Sequence, residues 1–281
     1  MSGSGNDFVF LEARPGSVDG LETSVAVRAL CARGTGVGAD GVVFLRGKSS
    51  NTIAIRYYNS DGSLGELCGN ATLCATRLAH EQGMVVGAEL AIETDSGVVN
   101  ARMVDGLPEI DLAPVTEVNG IVTRIERRPA ESAMGFARAG VPHVVIVVDD
   151  LDAVDVRGRG SQIRRDSSLR DGANVNFVAS SPGGSWRMRT YERGVEGETL
   201  ACGTGAVAAA ILLTEWGMAS SPVTLETRSG RMLAVTIRRD EGSWYPSLRG
   251  SADIVFAGQL REGFETSRTP GSHTSDSGDA G

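Results

Sequence analysis

Ala201-Cys202-Gly203-Thr204-Gly205, followed by an apolar run that ends at Gly217-Met218, repeats a phrase used earlier as Leu67-Cys68-Gly69-Asn70-Ala71 and closed by Gly83-Met84. The copies lie 134 residues apart and keep the same spacing from cysteine to methionine. Downstream of each comes one short phrase, Glu93-Thr94-Asp95-Ser96-Gly97 and Glu226-Thr227-Arg228-Ser229-Gly230. Upstream, Tyr58 and Tyr191 precede the two cysteines by about ten positions, and Asn6-Asp7-Phe8-Val9 parallels Pro142-His143-Val144-Val145. Order and spacing kept across half a chain imply an internal duplication. The expected organisation is an N-terminal repeat domain over 1–118 and a C-terminal one over 119–260, parted in the polar stretch near Asn119 to Ser132. A last strand near 250–260 is free to pair back with the first domain. Residues 261–281, rich in Ser, Gly, Thr and Asp, have the composition of a disordered tail.

Within each repeat the pattern is mostly strand with one principal helix. Ala71, Cys74, Ala75, Leu78 and Ala79 fall on one face of a helix closed by Gly83, and Ala206 to Leu213 is apolar on every side, as in a helix wrapped by other elements. Short β-rich runs surround them: Gly41 to Leu45, Thr52 to Tyr58, Glu89 to Glu93, His143 to Val148, Val175 to Val178, Trp186 to Tyr191, Val223 to Glu226 and Met232 to Ile237. The fold class expected is α/β: two pseudo-symmetric domains, each a curved, mostly antiparallel sheet around a central helix.

Composition narrows the partners. A chain of 281 residues with 41% apolar content can bury a real core, and a net charge of −8 argues against nucleic acid or an anionic membrane as the main partner. No apolar run approaches the roughly 20 residues of a membrane span, and the first residues lack the signature of a signal sequence. A cytoplasmic protein acting on a small molecule is expected. Cys31, Cys68, Cys74 and Cys202 are too sparse for a disulfide framework, so free thiols are expected. His80, His143 and His273 form no metal-ligand spacing with them. Lys48, the single lysine, sits in a Gly-Lys-Ser-Ser stretch without the earlier glycine of a phosphate loop and is a poor pyridoxal-phosphate anchor. No metal and no cofactor are expected.

Each repeated cysteine stands where a Gly-containing turn enters a helix, beside unpaired N–H groups and the positive end of the helix dipole. That setting favours thiolate, and the same N–H groups suit a carboxylate. Duplication adds symmetry: two such cysteines face one cleft from opposite sides. Inverting a carbon that bears one hydrogen takes a base on one face and an acid on the other, which a thiolate and a thiol supply without a redox cofactor. A Cα–H is a far weaker acid than a thiol, and a helix dipole contributes only about 0.3–1 kcal/mol. Closure that expels water, with several donors aimed at the carboxylate, is therefore part of the expectation.

Gly3-Ser4-Gly5-Asn6-Asp7-Phe8, Gly36-Val37-Gly38-Ala39-Asp40-Gly41, Glu66-Leu67-Cys68-Gly69-Asn70, Asn174-Val175-Asn176-Phe177 and Tyr191-Glu192-Arg193-Gly194 through Ala201-Cys202-Gly203-Thr204-Gly205 run in the order found in diaminopimelate epimerases. The chain resembles that family from about residue 3 to 260. The resemblance implies a pyridoxal-independent isomerase interconverting LL- and meso-2,6-diaminopimelate for lysine and peptidoglycan synthesis, as a cytoplasmic homodimer. By motif it implies Cys68 and Cys202 as proton donor and acceptor, exchanging roles with direction. It implies Asn6, Asn59, Asn174 and Arg193 at the distal end of the substrate, and Gly69, Asn70, Gly203 and Thr204 at the reacting carboxylate. His143 and Glu192 would adjust the thiol pKa values. Relatives commonly carry Asn where this chain has Val141, and a short strand ahead of Gly3; Glu196 lengthens the approach to Cys202 by one residue.

Other readings attach to the same residues. Val141 raises a racemase of a different amino acid. Cys68 and Cys202 could instead cycle as a thiol–disulfide pair, or the two helix starts could hold an anion without chemistry. Cys31 and Cys74 read as buried structural residues; Asn6, Asn59 and Asn174 suit turns, Arg193 a solvated loop, and His143 a strand end satisfied by backbone.

Overall fold

A computed structural model describes residues 1–13, 18, 20–65, 67–261 and 264. Glu66 and nearly all of the tail expected over 261–281 lie outside the described residues. Among the described residues there are four helices: α1 (Ser24–Cys31), α2 (Gly69–Glu81), α3 (Val156–Arg164) and α4 (Gly203–Glu215).

Strand pairing repeats in the two halves. In the first, Asn6–Glu12 runs parallel to Gly41–Ser49, which is antiparallel to Thr52–Asn59; that strand is parallel to Glu89–Thr94, followed by antiparallel Gly97–Val104 and Leu107–Asp111. In the second, Val141–Val148, Asn174–Ser180, Trp186–Glu192, Val223–Glu226, Met232–Asp240 and Ser243–Gly250 follow the same succession of parallel and antiparallel pairings. The series join where Ser243–Gly250 pairs antiparallel with Leu107–Asp111, placing Leu248 opposite Ile110. Glu131–Ala139 lies along the outer edge of Val141–Val148, and Ala252–Asp253 pairs with Ser2–Gly3.

Alternation along the central strands shows why their apolar runs are continuous. Val43 and Leu45 pack with the residues of α2, whereas Val42 and Phe44 pack with α1; Val145 and Val147 join the α4 cluster, whereas Val144 and Ile146 join that of α3. A strand covered on both faces has no reason to alternate with polar residues. Helix α4 is buried from Ala206 to Leu213, in keeping with its all-round apolar sequence. Between the halves, Leu248 and Ile110 are both fully buried. A Cβ placed on Gly69 would lie 3.2 Å from Leu248 Cδ2, and one on Gly203 would lie 3.0 Å from the same atom. One leucine thus touches the first residue of both central helices.

The architecture is the α/β arrangement expected, with elements the periodicity did not reveal. Gly97–Val104, Leu107–Asp111, Glu131–Ala139 and Ser243–Gly250 are strands whose charged or small residues hide the pattern. Helix α3 holds two glycines and reads poorly as helix. It forms because Asp155 caps it by accepting from the Gly158 N–H at 2.9 Å, and because Gly160, lacking a side chain, lets it press against Tyr191.

Leu248→Ala removes the side chain shared by both helix starts and is expected to lower the unfolding free energy by about 2–5 kcal/mol. Urea denaturation followed by circular dichroism measures it; a loss below about 1 kcal/mol would show that the junction is not a packed core.

Candidate active site

Cys68 and Cys202 are the N-cap residues of α2 and α4, with extended backbone at both. Neither side chain makes a cap hydrogen bond to its helix. Cys202 is 6% exposed, Cys68 is half-buried, and all four cysteines are free. The Cys202 sulfur lies 3.6 Å from Thr204 Oγ1. Burial pushes the Cys68 thiol up to about 11 and the Cys202 thiol up to about 12, and the negative charge of Glu192 adds to both. The N–H groups of Asn70 and Ala71 pull Cys68 the other way, as the Thr204 hydroxyl and the Gly205 N–H do for Cys202. The expectation of thiolate near neutrality is therefore corrected: the helix-start donors are in place, but desolvation of the charged form outweighs them. Cys68 contributes to the electrostatics of Cys202, and Glu192 to both, so the three groups share one neighbourhood.

On the first half a polar chain leads to the helix starts. Arg33 forks onto Asp7 at 2.8 and 2.9 Å and reaches Asp40 at 3.0 Å. Asp40 accepts from Asn6 Nδ2 at 3.0 Å, and Asn6 Oδ1 accepts from Asn70 Nδ2 at 2.7 Å. Asn70 Oδ1 is buried without a partner and would lie 3.5 Å from a Cβ on Gly203. The first turn of α2 is thus anchored to strand Asn6–Glu12 and points at the start of α4. Tyr57 lines a cavity with Cys68, its ring filling the space left by Gly41 and Gly65.

On the second half, His143 and Asn174 are register partners at the starts of parallel strands. Asn174 Oδ1 accepts the Arg193 N–H at 2.7 Å, and Arg193 Nη1 donates to the Asp171 carbonyl at 2.9 Å. Burial raises the Glu192 carboxyl above its usual range, and the Asp40 charge adds to this. His143 is fully buried, which pushes its pKa down to about 3, and the Arg193 charge acts in the same direction. Asn176, also fully buried, reaches His143 Nδ1 at 3.2 Å, donates to the Val144 carbonyl at 3.2 Å, and accepts from Thr190 Oγ1 at 2.9 Å. A Cβ on Gly205 would collide with Asn176 Oδ1 and lie 3.2 Å from the Cys202 sulfur.

Of the residues expected from sequence, Cys68, Gly69, Asn70 and Asn6 come together on one side, and Cys202, Gly203 and Thr204 on the other. Asn174, Arg193 and His143 adjoin at the start of strand Asn174–Ser180, and Glu192 influences both thiols. Asn59 is different: its Nδ2 donates to Ser63 Oγ at 3.0 Å within the turn that follows its strand, the turn role open to it from sequence. Val141 opens the strand that carries His143. Asp40, Tyr57, Asn176, Thr190 and Leu248 were not singled out. Asp40 and Asn176 stand inside the quoted motifs, which was the available signal; Leu248 had none.

The diaminopimelate epimerase family profile matches residues 1–115 and 135–255. The chain is 44% identical over 270 residues to a diaminopimelate epimerase of Gemmatimonas aurantiaca, covering 92% of this chain and 97% of that protein. It is 38% identical over 275 residues to one of Aquifex aeolicus, covering 93% and 96%. Among solved structures it is similar to a phenazine biosynthesis protein of the PhzF family from Bacillus anthracis, at a TM-score of 0.67 and 15% identity over 89% of this chain and 92% of that one. It is similar also to a probable proline racemase from Agrobacterium radiobacter K84, at 0.63 and 18% over 93% and 91%. At such identities these structures share the fold.

Thiols held this high leave little thiolate near neutrality. Alkylation of Cys68 and Cys202 by iodoacetamide in the ligand-free protein is expected to accelerate about tenfold per pH unit from about pH 7 to about pH 10 without levelling. Peptide mapping by mass spectrometry gives the rate at each cysteine; a plateau near pH 8 would contradict the buried setting.

Proposed function

The chain belongs to the diaminopimelate epimerase family, and from that premise we propose that it interconverts LL- and meso-2,6-diaminopimelate by passing the Cα proton between Cys68 and Cys202. The observation that supports this reading most is the meeting of two cysteine-capped helix starts on one side chain, Leu248. In one direction the Cys202 thiolate takes the Cα proton and the Cys68 thiol gives one to the opposite face; the reverse reaction exchanges the roles. The substrate ammonium brings positive charge beside a sulfur and so offsets the effects of burial and Glu192 that hold it protonated. As the carboxylate takes on enolate character, the N–H groups of Gly69-Asn70 and Gly203-Thr204 are placed to hold it. A dry site makes the thiolate a stronger base, each pKa unit being worth about 1.4 kcal/mol toward removal of a weakly acidic proton.

Asn6, Asn59, Asn174 and Arg193 are assigned to the distal amino-carboxylate end, and His143 and Glu192 to tuning the thiols. We read the chain as two domains, 1–118 and 119–260, each bringing one cysteine, in a cytoplasmic homodimer serving lysine and peptidoglycan precursor synthesis. Neither a different amino-acid substrate nor thiol–disulfide chemistry is favoured by the relatives.

In D2O, incubation with LL- or meso-diaminopimelate is expected to give the opposite isomer carrying deuterium at the inverted Cα, read by NMR. Cys68→Ser and Cys202→Ser are each expected to slow epimerisation by about 10²–10⁴-fold. Absence of exchange with both isomers would overturn the assignment.

A further inference from the structure

Asn176 and His143 form a buried pair whose hydrogen bonding is determinate. The Val144 carbonyl can only accept, so the amide atom 3.2 Å from it is Nδ2, and Thr190 Oγ1 donates to the remaining Oδ1 at 2.9 Å. The amide therefore has one orientation. The same Nδ2 lies 3.2 Å from His143 Nδ1. A primary amide nitrogen carries two hydrogens and accepts none, so Nδ1 must offer its lone pair. The ring proton then resides on Nε2, which is buried and without a partner. Protonating Nδ1 would set N–H against N–H in a space sealed from water, since His143 and Asn176 are both fully buried.

The pair adjoins the reacting groups. Asn176 Oδ1 occupies the place a side chain at Gly205 would need, against the Cys202 sulfur, and a Cβ on Gly140 would lie 3.9 Å from Thr204 Cγ2. The strand start carrying His143 is thus next to the first turn of α4.

We infer that Asn176 is a positioning residue that locks His143 as the neutral Nε2–H tautomer, so that the Nδ1 lone pair is taken up by the amide and the one group the ring has left to offer is the Nε2–H donor. A buried polar donor left unpaired in the free protein is suited to a charge that arrives with the reaction, because it adds no buried cation of its own. The amide that fixes the ring also requires glycine at 205, tying the tautomer to the close approach of α4. The donor's role in turnover rests on the epimerase reading above; the tautomer does not.

Two measurements separate these. In the ¹⁵N-labelled full-length protein, long-range ¹H–¹⁵N correlation spectra resolve three imidazoles, that of His143 being the set lost in His143→Gln. Wild-type His143 is expected to show the Nε2–H pattern unchanged from pH 8 to about pH 5. An Nδ1–H pattern, or titration near the ordinary histidine value, would overturn the proposal whatever the protein's substrate. Asn176→Asp offers Nδ1 an acceptor and is expected to convert the ring to Nδ1–H or to its cation; Asn176→Ala, which removes the partner of Nδ1, is expected to free the choice of tautomer. With diaminopimelate turnover established, each variant is expected to lower kcat by about tenfold or more with KM changed less than about threefold, and to add an acid limb to the kcat profile absent from wild type. Unchanged kcat and pH profile in a variant whose tautomer has switched would refute the donor role. Failure of one variant to fold leaves the wild-type spectrum decisive.

Discussion

The antiparallel contact between Ser243–Gly250 and Leu107–Asp111 is the constraint from which the rest of the molecule follows. It places Leu248 against Ile110 at the seam of two similarly paired series of strands, and glycines 69 and 203 let α2 and α4 begin on that leucine. A side chain at either glycine would press on the end of Leu248 and loosen this junction. The two sulfurs owe their common neighbourhood to this seam, since each is one residue before a glycine that touches it.

Two physical influences compete at those sulfurs. Helix-start N–H groups favour negative charge, while removal from water disfavours it, with Glu192 and Asp40 adding repulsion at Cys68. Desolvation prevails in the ligand-free protein, as it does when a small group is enclosed by apolar walls and only two or three oriented dipoles. The donors retain a purpose, because dipoles already fixed in place need no reorganisation to hold negative charge as it develops.

Legibility in the sequence followed the type of information. The duplication exposed the two cysteines and the helices they cap, because identical spacing survives when individual residues do not. The covered strands were legible as runs such as Val42–Leu45 and Val144–Val148. Edge and seam strands were not, because Arg102, Glu109 and Arg249 satisfy each other across the sheet and so replace the hydrophobic alternation a reader looks for. Asn176 was visible as a motif residue but not as the partner of His143, since pairing across parallel strands depends on register. Leu248 looked like any other apolar residue. The direction of the thiol pKa values was misjudged because a motif shows donors and not enclosure.

Ser2–Gly3 and Ala252–Asp253 lie side by side in one antiparallel ladder, while Thr123 and Arg124 are exposed in the stretch between the halves. Topologically the molecule is closer to a ring than to a line. A circular permutant in which a short turn links Asp253 to Ser2 and the chain is opened between Thr123 and Arg124 would keep these strand ladders while inverting the order in which the halves leave the ribosome.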